Sequence, residues 1–378
     1  MSAKLSSLAL LTAGALFAAA GHANAQPYPG FTYTDLGALP DGDDSYANAI
    51  NSAGQVVGFS TVAGYRHATL WNGTTATDLG ILPGGGDYSE AWAINDQGQV
   101  AGSSWSSTND TIRATVWNGT TATDLGTLPG ADASYARAIN DSGQVAGWAS
   151  TEGSTRAALW NGTTATDLGT LGGGSSVAYA INNDGQVAGQ SALLPGSSTS
   201  HATVWSGTTP ADLGTLPGGD DSAALAINDL GQAAGRSTFL PGSFAYHATV
   251  WNGTTPTDLG TLGGDYSEAN AINNAGLVVG WADTLDNGTS ATLWDGTTAT
   301  DLNNFLDESM IDAGWVLTGA ADINDRGLIV GEAFNNLTYQ THAFLLTPIP
   351  EPETYAMFLA GLALMGGVVS SRRRKTAQ

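Results

Sequence analysis

The sequence repeats itself with a period of about 45 residues, and this repeat limits the possible folds more than any other feature. An Asp-Leu pair recurs seven times at spacings of 43 to 46 residues, and an Ile-Asn pair recurs with the same rhythm. Because a unit of this size buries its apolar face only against a neighbour, the chain must fold as adjacent copies of one unit. The Asp-Leu pairs begin at Asp35, Asp78, Asp124, Asp167, Asp212, Asp258 and Asp301, and the Ile-Asn pairs end at Asn51, Asn95, Asn140, Asn182, Asn228, Asn273 and Asn324.

Each repeat contains four segments with the pattern of short β-strands. A glycine stands three residues after each repeated asparagine, as Gly54 does after Asn51, and predicts a tight turn in which the asparagine side chain bonds the backbone and the glycine takes a positive φ. A small apolar pair such as Val56-Val57 follows and predicts a buried strand. A third strand ends at a tryptophan, and the Asn-Gly or Asp-Gly that follows five of these six tryptophans predicts a type I′ hairpin into the fourth strand. The tryptophans are Trp71, Trp117, Trp160, Trp205, Trp251 and Trp294.

Four antiparallel strands in about 45 residues match one blade of a β-propeller. The two ends of the repeat region complete the argument, because Phe31 to Gly37 reads as a fourth strand without its first three, and His342 to Leu346 reads as a third strand without its fourth. We therefore predict an all-β, seven-bladed β-propeller over residues 27–347, with four-stranded blades and with one blade closed by the N- and C-terminal strands. An open solenoid is the alternative, although it would gain nothing from a unit split between its ends.

The repeat also resembles a known family. The string DLGTLGGDYSEANAINNAGLVVG, from Asp258 to Gly280, and the His-Ala-Thr-Val-Trp type of strand resemble the HAF repeats of bacterial extracellular proteins. The resemblance extends over about 315 residues and all seven units. It implies an extracellular module whose repeat specifies no activity of its own.

The N-terminus has the order of a secretory signal. Lys4 precedes an apolar run from Leu8 to Ala20, and the small-residue box Ala23-Asn24-Ala25 follows. Residues 1–25 are thus predicted to be a signal peptide that directs export through the Sec route, with cleavage between Ala25 and Gln26. An uncleaved membrane helix is the alternative.

The C-terminal segment, residues 348–378, has three parts: Pro350-Glu351-Pro352, an uncharged stretch from Tyr355 to Val369, and the basic cluster Arg372, Arg373, Arg374 and Lys375. The uncharged stretch is just long enough for a transmembrane or sorting helix, and the basic cluster would stay on the cytoplasmic side. This order closely resembles the PEP-CTERM sorting signal of Gram-negative bacteria. The resemblance implies recognition by an exosortase-type membrane protease, cleavage near Pro350 to Pro352, and delivery to the envelope or extracellular matrix of an exopolysaccharide-producing cell. An ordinary tail anchor is the alternative.

Composition excludes several classes of function. The chain has no cysteine, so neither disulfides nor a catalytic thiol are available. Residues 27–347 contain 32 acidic residues, six arginines and no lysine, which gives this part a formal charge of about −26, against −23 for the whole chain. Such a surface repels phosphate backbones, so nucleic acid is not an expected partner.

Two groups of residues suggest metal binding. His67, His201, His247 and His342 recur at one position of different repeats, but equivalent points on separate blades lie too far apart to share an ion, so we predict a packing role on the strand surface. The loops between repeats are rich in acidic residues and glycine, at Asp41 to Asp44, Gly86-Asp87, Gly219 to Asp221 and Gly264-Asp265. The sequence is compatible both with calcium binding in these loops and with simple solvated turns. No other cofactor or metal is predicted.

The largest interruption of the repeat lies between Asp301 and Asn324 and contains Asp307, Glu308, Asp312 and Trp315. Paired carboxylates and an aromatic ring could serve glycoside hydrolysis, although a loop that completes the last blade also explains the insertion. The sequence favours a non-catalytic envelope or matrix protein that binds exopolysaccharide or another envelope protein and has no catalytic residue. The alternative is a propeller hydrolase that acts on that polysaccharide.

Overall fold

The computed structural model describes residues 30–349, apart from 108, 109, 152, 198 and 287. These residues form seven four-stranded antiparallel sheets, which are the blades of a β-propeller. Blades 1 to 6 are built from consecutive strands, and blade 7 takes its first three strands from the C-terminal end and its fourth, β1 (Phe31–Asp35), from the N-terminal end. The bounds are, for blade 1, β2 (Gly42–Ile50), β3 (Gln55–Val62), β4 (Tyr65–Asn72) and β5 (Thr75–Asp78); for blade 2, β6 (Ser89–Ile94), β7 (Gln99–Ser106), β8 (Thr111–Asn118) and β9 (Thr121–Asp124); for blade 3, β10 (Ala133–Ile139), β11 (Gln144–Thr151), β12 (Ser154–Asn161) and β13 (Thr164–Asp167); for blade 4, β14 (Ser176–Ile181), β15 (Gln186–Ala192), β16 (Ser200–Ser206) and β17 (Thr209–Gly214); for blade 5, β18 (Ser222–Ile227), β19 (Gln232–Thr238), β20 (Tyr246–Asn252) and β21 (Thr255–Asp258); for blade 6, β22 (Gly263–Ile272), β23 (Val278–Thr284), β24 (Thr289–Asp295) and β25 (Thr298–Asp301); and for blade 7, β26 (Trp315–Ile323), β27 (Ile329–Asn335) and β28 (Thr341–Pro348).

The chain ends close the ring as the sequence predicts. Strand β1 pairs antiparallel with β28 from Phe31 opposite Pro348 to Asp35 opposite Phe344. The backbone N–H of Ile349 donates to the carbonyl of Gly30 over 2.9 Å. The prediction of six continuous blades and one shared blade is therefore confirmed, and β1 supplies the outermost strand of blade 7.

The turns within a blade follow the sequence with one correction. Gly54 has a φ of 87° and donates to the carbonyl of Asn51, as predicted for the first turn. The predicted type I′ hairpin after each tryptophan is wrong, because Asn72 pairs with Thr75, which leaves Gly73 and Thr74 at the centre. Gly73 has a φ of 60°, and neither Asn72 nor Thr74 has a positive φ. This is the pattern of a type II′ turn, in which only the first central residue needs that conformation.

Neighbouring blades share their apolar cores. In one cluster, Val57 and Leu79 of blade 1 pack with Val100 and Trp117 of blade 2. The six repeated tryptophans are fully buried at such contacts, and they account for the largest buried side chains of the molecule. Since each blade covers the apolar face of the next, the ring is stabilised by sheet-on-sheet burial rather than by disulfides.

The repeated asparagines form a closed ring of hydrogen bonds. Each Nδ2 donates to the main-chain carbonyl of the equivalent asparagine in the next blade over 2.9 to 3.2 Å, and Asn324 completes the circle to Asn51. We call this set the asparagine ring; its members are Asn51, Asn95, Asn140, Asn182, Asn228, Asn273 and Asn324. The sequence predicted the bonds within a turn but not those between blades.

The insertion before blade 7 folds into a 3-10 helix, Leu302–Phe305, and a short helix α1, Glu308–Asp312. Leu302 and Leu306 are buried in the core cluster of blade 7, and Phe305 meets Phe31 edge to face with 5.1 Å between ring centroids. The insertion therefore completes the last blade, as the simpler interpretation predicted. Within residues 30–349, no helix has the length and apolar character needed to span a membrane.

Candidate functional site

The blades have two unlike ends. Because strands alternate in direction, the turns after the first and third strands of every blade lie at one end, which we call the asparagine face. The second-to-third hairpins and the connections between blades lie at the opposite end, which we call the loop face. The first strands of all seven blades surround a central channel between these faces. The channel has a volume of about 590 Å³, and a cavity of about 620 Å³ at its loop-face side shares several of its lining residues.

One position of the channel wall differs from blade to blade although its neighbours are nearly invariant. It is the residue between the two alanines of the Ala-x-Ala-Ile-Asn segment, and blade 7 replaces the second alanine with Asp322. In every blade this residue sits in a β-bulge of the first strand, where the pairing with the second strand shifts. Bulges redirect side chains, and here the seven positions carry six different residue types, with asparagine occurring twice. We call this set the channel ring; it consists of Asn48, Trp92, Arg137, Tyr179, Leu225, Asn270 and Ala321.

A second variable position follows the invariant glycine of each second strand. Its residues are Phe59, Ser103, Trp148, Gln190, Arg236, Trp281 and Glu332, and we call them the mouth ring. Phe59 stacks on Tyr46 with ring centroids 4.6 Å apart, and Trp148 stacks on Tyr135 at 5.2 Å. The mouth of the channel therefore presents flat aromatic faces between polar groups, an arrangement that suits ligands with both apolar faces and polar edges.

Two arginines at the mouth are paired with carboxylates. Arg66 of blade 1 bonds Glu90 of blade 2, and Arg236 of blade 5 bonds Glu268 of blade 6. Arg66 also lies 4.7 Å from the centre of the Phe59 ring. These pairs link adjacent blades and fix carboxylates at the rim of the cavity.

Arg137 differs from these two arginines because it has no ion pair with a described residue. Its Cζ lies 3.7 Å from the centre of the Trp92 ring and 5.8 Å from that of Trp148. No residue in the described part of the chain forms a hydrogen bond or ion pair with its guanidinium. Burial lowers the pKa of Arg137, although the more distant Tyr179, Glu90 and Tyr88 act electrostatically in the opposite direction.

Two carboxyl groups in the channel wall, those of Asp322 and Glu332, have pKa values above the usual range. Burial raises the pKa of Asp322 to about 6, despite hydrogen bonds of 2.8 Å from the N–H groups of Ile50 and Ile323. Burial likewise raises the pKa of Glu332, which lies 3.4 Å from the hydroxyl of Thr318. Both groups are thus easier to protonate than exposed carboxylates.

The cavity at the asparagine-face end of the channel is smaller, with a volume of about 270 Å³. The residue after each ring asparagine is Ser52, Asp96, Asp141, Asn183, Asp229, Asn274 or Asp325. From Asp96 to Asp325, each of these side chains accepts the N–H of its counterpart in the preceding blade, over 2.8 to 3.0 Å. These carboxylates and amides therefore serve the closure of the ring.

The histidines singled out in the sequence lie on separate blades, as expected. Each pairs through Nδ1 with the Asp of the Asp-Leu repeat on the adjacent strand, as His201 does with Asp212 over 2.9 Å. Arg113 and Arg156 occupy the same position and bond Asp124 and Asp167. The recurring aspartate therefore pairs with a side chain on the adjacent strand, a role that was not predicted from the sequence.

The acidic loops also use their carboxylates for backbone contacts. Asp44 accepts the N–H of Thr341, and Asp221 accepts the N–H of Ser200, both near 2.9 Å. Among the residues that the structure describes, no three His, Cys, Asp or Glu side chains come together as metal ligands. Calcium in these loops remains a prediction.

The carboxylates of the insertion do not face the channel cavities. Asp307 caps helix α1, accepting from the N–H of Met310 and the hydroxyl of Ser309. These hydrogen bonds lower the pKa of Asp307. The groups that do face the channel were overlooked, although the variable residue inside an otherwise constant Ala-x-Ala-Ile-Asn segment is a signal that the sequence carries.

The predicted processing residues lie outside the described residues. They are Ala25 and Gln26 at the signal-peptide junction, Pro350, Glu351 and Pro352 at the start of the tail, and Arg372, Arg373, Arg374 and Lys375 at its end. The predicted C-terminal helix lies outside them as well, and both remain predictions.

Comparison with protein families decides the nature of the tail. Residues 348–375 match the model of the PEP-CTERM protein-sorting motif. The chain carries a PEP-CTERM sorting motif. The motif implies an exported protein that is sorted at the cell envelope by an exosortase-type membrane protease. No curated protein matches the chain, and none of the matches supports the resemblance to HAF repeats.

Solved structures similar to this chain include other proteins at low sequence identity. TolB from Acinetobacter baumannii matches with 10% identity and a TM-score of 0.42, over 82% of this chain and 64% of TolB, so this chain spans less than two thirds of that protein. A mutant of the Aleuria aurantia lectin in complex with Fucα1-6GlcNAc matches with 12% identity and a TM-score of 0.33, over 69% of this chain and 94% of the lectin. A second structure of that lectin, described as a six-bladed β-propeller, matches with 11% identity and a TM-score of 0.31, over 71% of this chain and 96% of the lectin.

Proposed function

We propose that this protein is a non-catalytic binding module of the cell envelope or extracellular matrix, and that it holds exopolysaccharide in the loop-face mouth of its propeller. It reaches that location through the PEP-CTERM motif and is processed there by the exosortase-type protease. An envelope protein as the ligand is the alternative partner.

One observation carries the proposal: the channel ring and the mouth ring vary although the residues that flank them in the first and second strands are nearly constant. Side chains that differ around one opening build an asymmetric surface, which is what a specific ligand requires. The aromatic rings of Trp92 and Trp281 line the cavity beside amides and charged groups, and they suit the apolar faces and hydroxyl edges of sugar rings.

The proposal is tested by binding of exopolysaccharide, isolated from the producing cells, to the full-length chain in detergent. Trp281→Ala should weaken binding at least about tenfold, because a buried aromatic contact is worth about 1.5 kcal/mol or more. Leu230→Ala is the matched control, since Leu230 is 71% exposed on the asparagine face. Equal binding by the wild type and both variants would place the ligand elsewhere.

A hydrolase remains the second candidate, and one observation favours it. Glu332, whose pKa is raised, and Glu268, which is paired with Arg236, line the same cavity. Glycoside hydrolysis uses two carboxyl groups, one of which has a raised pKa and acts as the acid. Under the binding proposal, neither the wild type nor Glu332→Gln shortens the exopolysaccharide, as measured by size-exclusion chromatography. Shortening by the wild type that is abolished in Glu332→Gln would replace binding with catalysis.

A further inference from the structure

We propose that the channel mouth recognises a carboxylate-bearing sugar, such as a uronate, and that Arg137 is the residue that binds the carboxylate. This inference rests on the proposed function, because it names the chemical class of polysaccharide that the same mouth would hold.

The unpartnered state of Arg137 is the first argument. A guanidinium carries five N–H donors, and in this position none of them meets an acceptor among the described residues. Withdrawing a cation from water is costly, and structures normally compensate it with a carboxylate in direct contact, whereas Glu90 acts on Arg137 only at a distance and is already bonded to Arg66. The other arginines at the mouth follow that rule, since Arg66 has Glu90 and Arg236 has Glu268. The acceptor that Arg137 lacks is therefore expected from a ligand.

The distribution of positive charge is the second argument. Residues 27–347 contain only six arginines and no lysine against 32 acidic residues. Half of those arginines, Arg66, Arg137 and Arg236, line the mouth and channel cavities. A strongly acidic protein thus concentrates its scarce cations around one opening, where they offset the surrounding repulsion of an anionic ligand.

The shape of the site around Arg137 is the third argument. Trp92 lies against one face of the guanidinium, and Trp148 stands between Tyr135 and Tyr179, with ring centroids 5.2 and 6.3 Å away. This contact holds the guanidinium plane while its N–H edges stay available for a bidentate carboxylate. Aromatic rings beside a carboxylate-binding fork fit a pyranose acid better than a small inorganic anion, which has no apolar face to pack.

The test uses two forms of one polymer: exopolysaccharide from the producing cells, and the same material with its carboxyl groups chemically reduced to alcohols. Equilibrium binding is measured for the full-length wild type, Arg137→Met, Arg137→Lys and the control Arg326→Met. Arg326 lies at the asparagine face, where its Nη1 donates to the carbonyl of Ser52 over 3.2 Å. Thermal unfolding of each variant shows whether it is folded.

We expect reduction of the carboxyl groups to weaken wild-type binding at least about tenfold, and Arg137→Met to bind both forms equally and at the weaker level. Arg137→Lys keeps the positive charge and should keep part of the preference for the acidic polymer. This variant still measures the role of the charge if Arg137→Met does not fold. Arg326→Met should behave as the wild type.

Equal wild-type binding to the native and reduced polymer would overturn the inference while leaving the proposed function intact. A preference for the acidic polymer that persists in Arg137→Met would overturn the role of Arg137. Absence of binding to either form would contradict the proposed function itself.

Discussion

The asparagine ring is the clearest case in which one residue type serves two levels of structure. Asn182 is buried, its Oδ1 accepts the N–H of Gln186, and its Nδ2 donates to Gln186 within the blade and to the carbonyl of Asn228 in the next. A shorter or apolar side chain leaves these buried groups without partners. The residue is therefore repeated because it shapes a turn and also ties that turn to its neighbour.

We predict that Asn182→Ala lowers the free energy of unfolding by about 2–3 kcal/mol, measured by urea denaturation, because several buried hydrogen-bonding groups lose their partner. Asn161→Ala is the control, since Asn161 is exposed in the hairpin at the same face of the molecule. Its effect should stay within about 0.5 kcal/mol. Similar losses from both substitutions would mean that the ring of hydrogen bonds does not stabilise the blade contacts.

The residue scale also shows what the sequence could and could not predict. The Asn and Gly of the first turn, the buried Val or Ala pairs and the tryptophans recur, so they were placed correctly, whereas the type of the hairpin after the tryptophans was not. Arg137, Trp92 and Trp281 do not recur, and they are separated by one or more repeats along the chain. Trp92 and Arg137 meet when blades 2 and 3 pack together, and Trp92 and Trp281 share a cavity after the ring closes, so one local motif does not reveal them.

At the scale of the element, the bulged first strand links the fold to the site. The invariant glycine of each second strand faces this bulge, and a Cβ on Gly147 would collide with the carbonyl oxygen of Tyr135. Because Arg137 is the bulged residue between Ala136 and Ala138, the glycine is needed for the geometry that turns this side chain to the channel.

We predict that Gly147→Ala destabilises the protein by about 1–3 kcal/mol, because the added methyl group forces the two strands apart. It should also weaken exopolysaccharide binding by displacing Arg137. Gly174→Ala is the control, because an added Cβ there has no atom within 4 Å and Gly174 needs no positive φ. The account of the bulge fails if Gly147→Ala matches this control in urea denaturation.

Two titratable residues, His342 and Asp35, are paired where β28 meets β1. His342 on β28 bonds Asp35 on β1 through Nδ1 over 2.8 Å. This hydrogen bond raises the pKa of His342 above its usual 6.5, and Asp44 adds to the effect while burial opposes it. Burial of Asp35 acts to raise its pKa, but the hydrogen bonds from His342 and the N–H of Gly37 hold it below its usual 3.8.

The pair therefore stabilises the closed ring within a pH window. The contribution of His342 is complete below about pH 6.5 and is lost as the pH rises through its folded pKa, whereas that of Asp35 is complete above about pH 3.8 and is lost as the pH falls through its folded pKa. We predict that the difference in thermal midpoint between the wild type and His342→Gln is largest near pH 5 and smaller near pH 3 and pH 8. A difference that does not change with pH would show that the charges are not involved.

At the scale of the whole molecule, closure explains both the stability and the location of the site. Blade 7 is assembled from both ends of the described chain, and the core of each blade is shared with its neighbour. Seven first strands then enclose one channel, with conserved turn chemistry at the asparagine face and variable side chains at the loop-face mouth. The repeat and its split ends predicted this architecture. The asymmetry of the channel depends on the side chains of the channel ring and the mouth ring, which do not follow the repeat.

The most direct test of this account is hydroxyl-radical footprinting of the full-length protein with and without its producer's exopolysaccharide. The account predicts slower oxidation of Trp92 and Trp281 at the loop-face mouth when the polysaccharide is present, and an unchanged rate at Leu230 on the asparagine face. Unchanged oxidation of both tryptophans at saturating polysaccharide, or protection of Leu230 alone, would contradict the claim that the variable mouth of the propeller is the binding site.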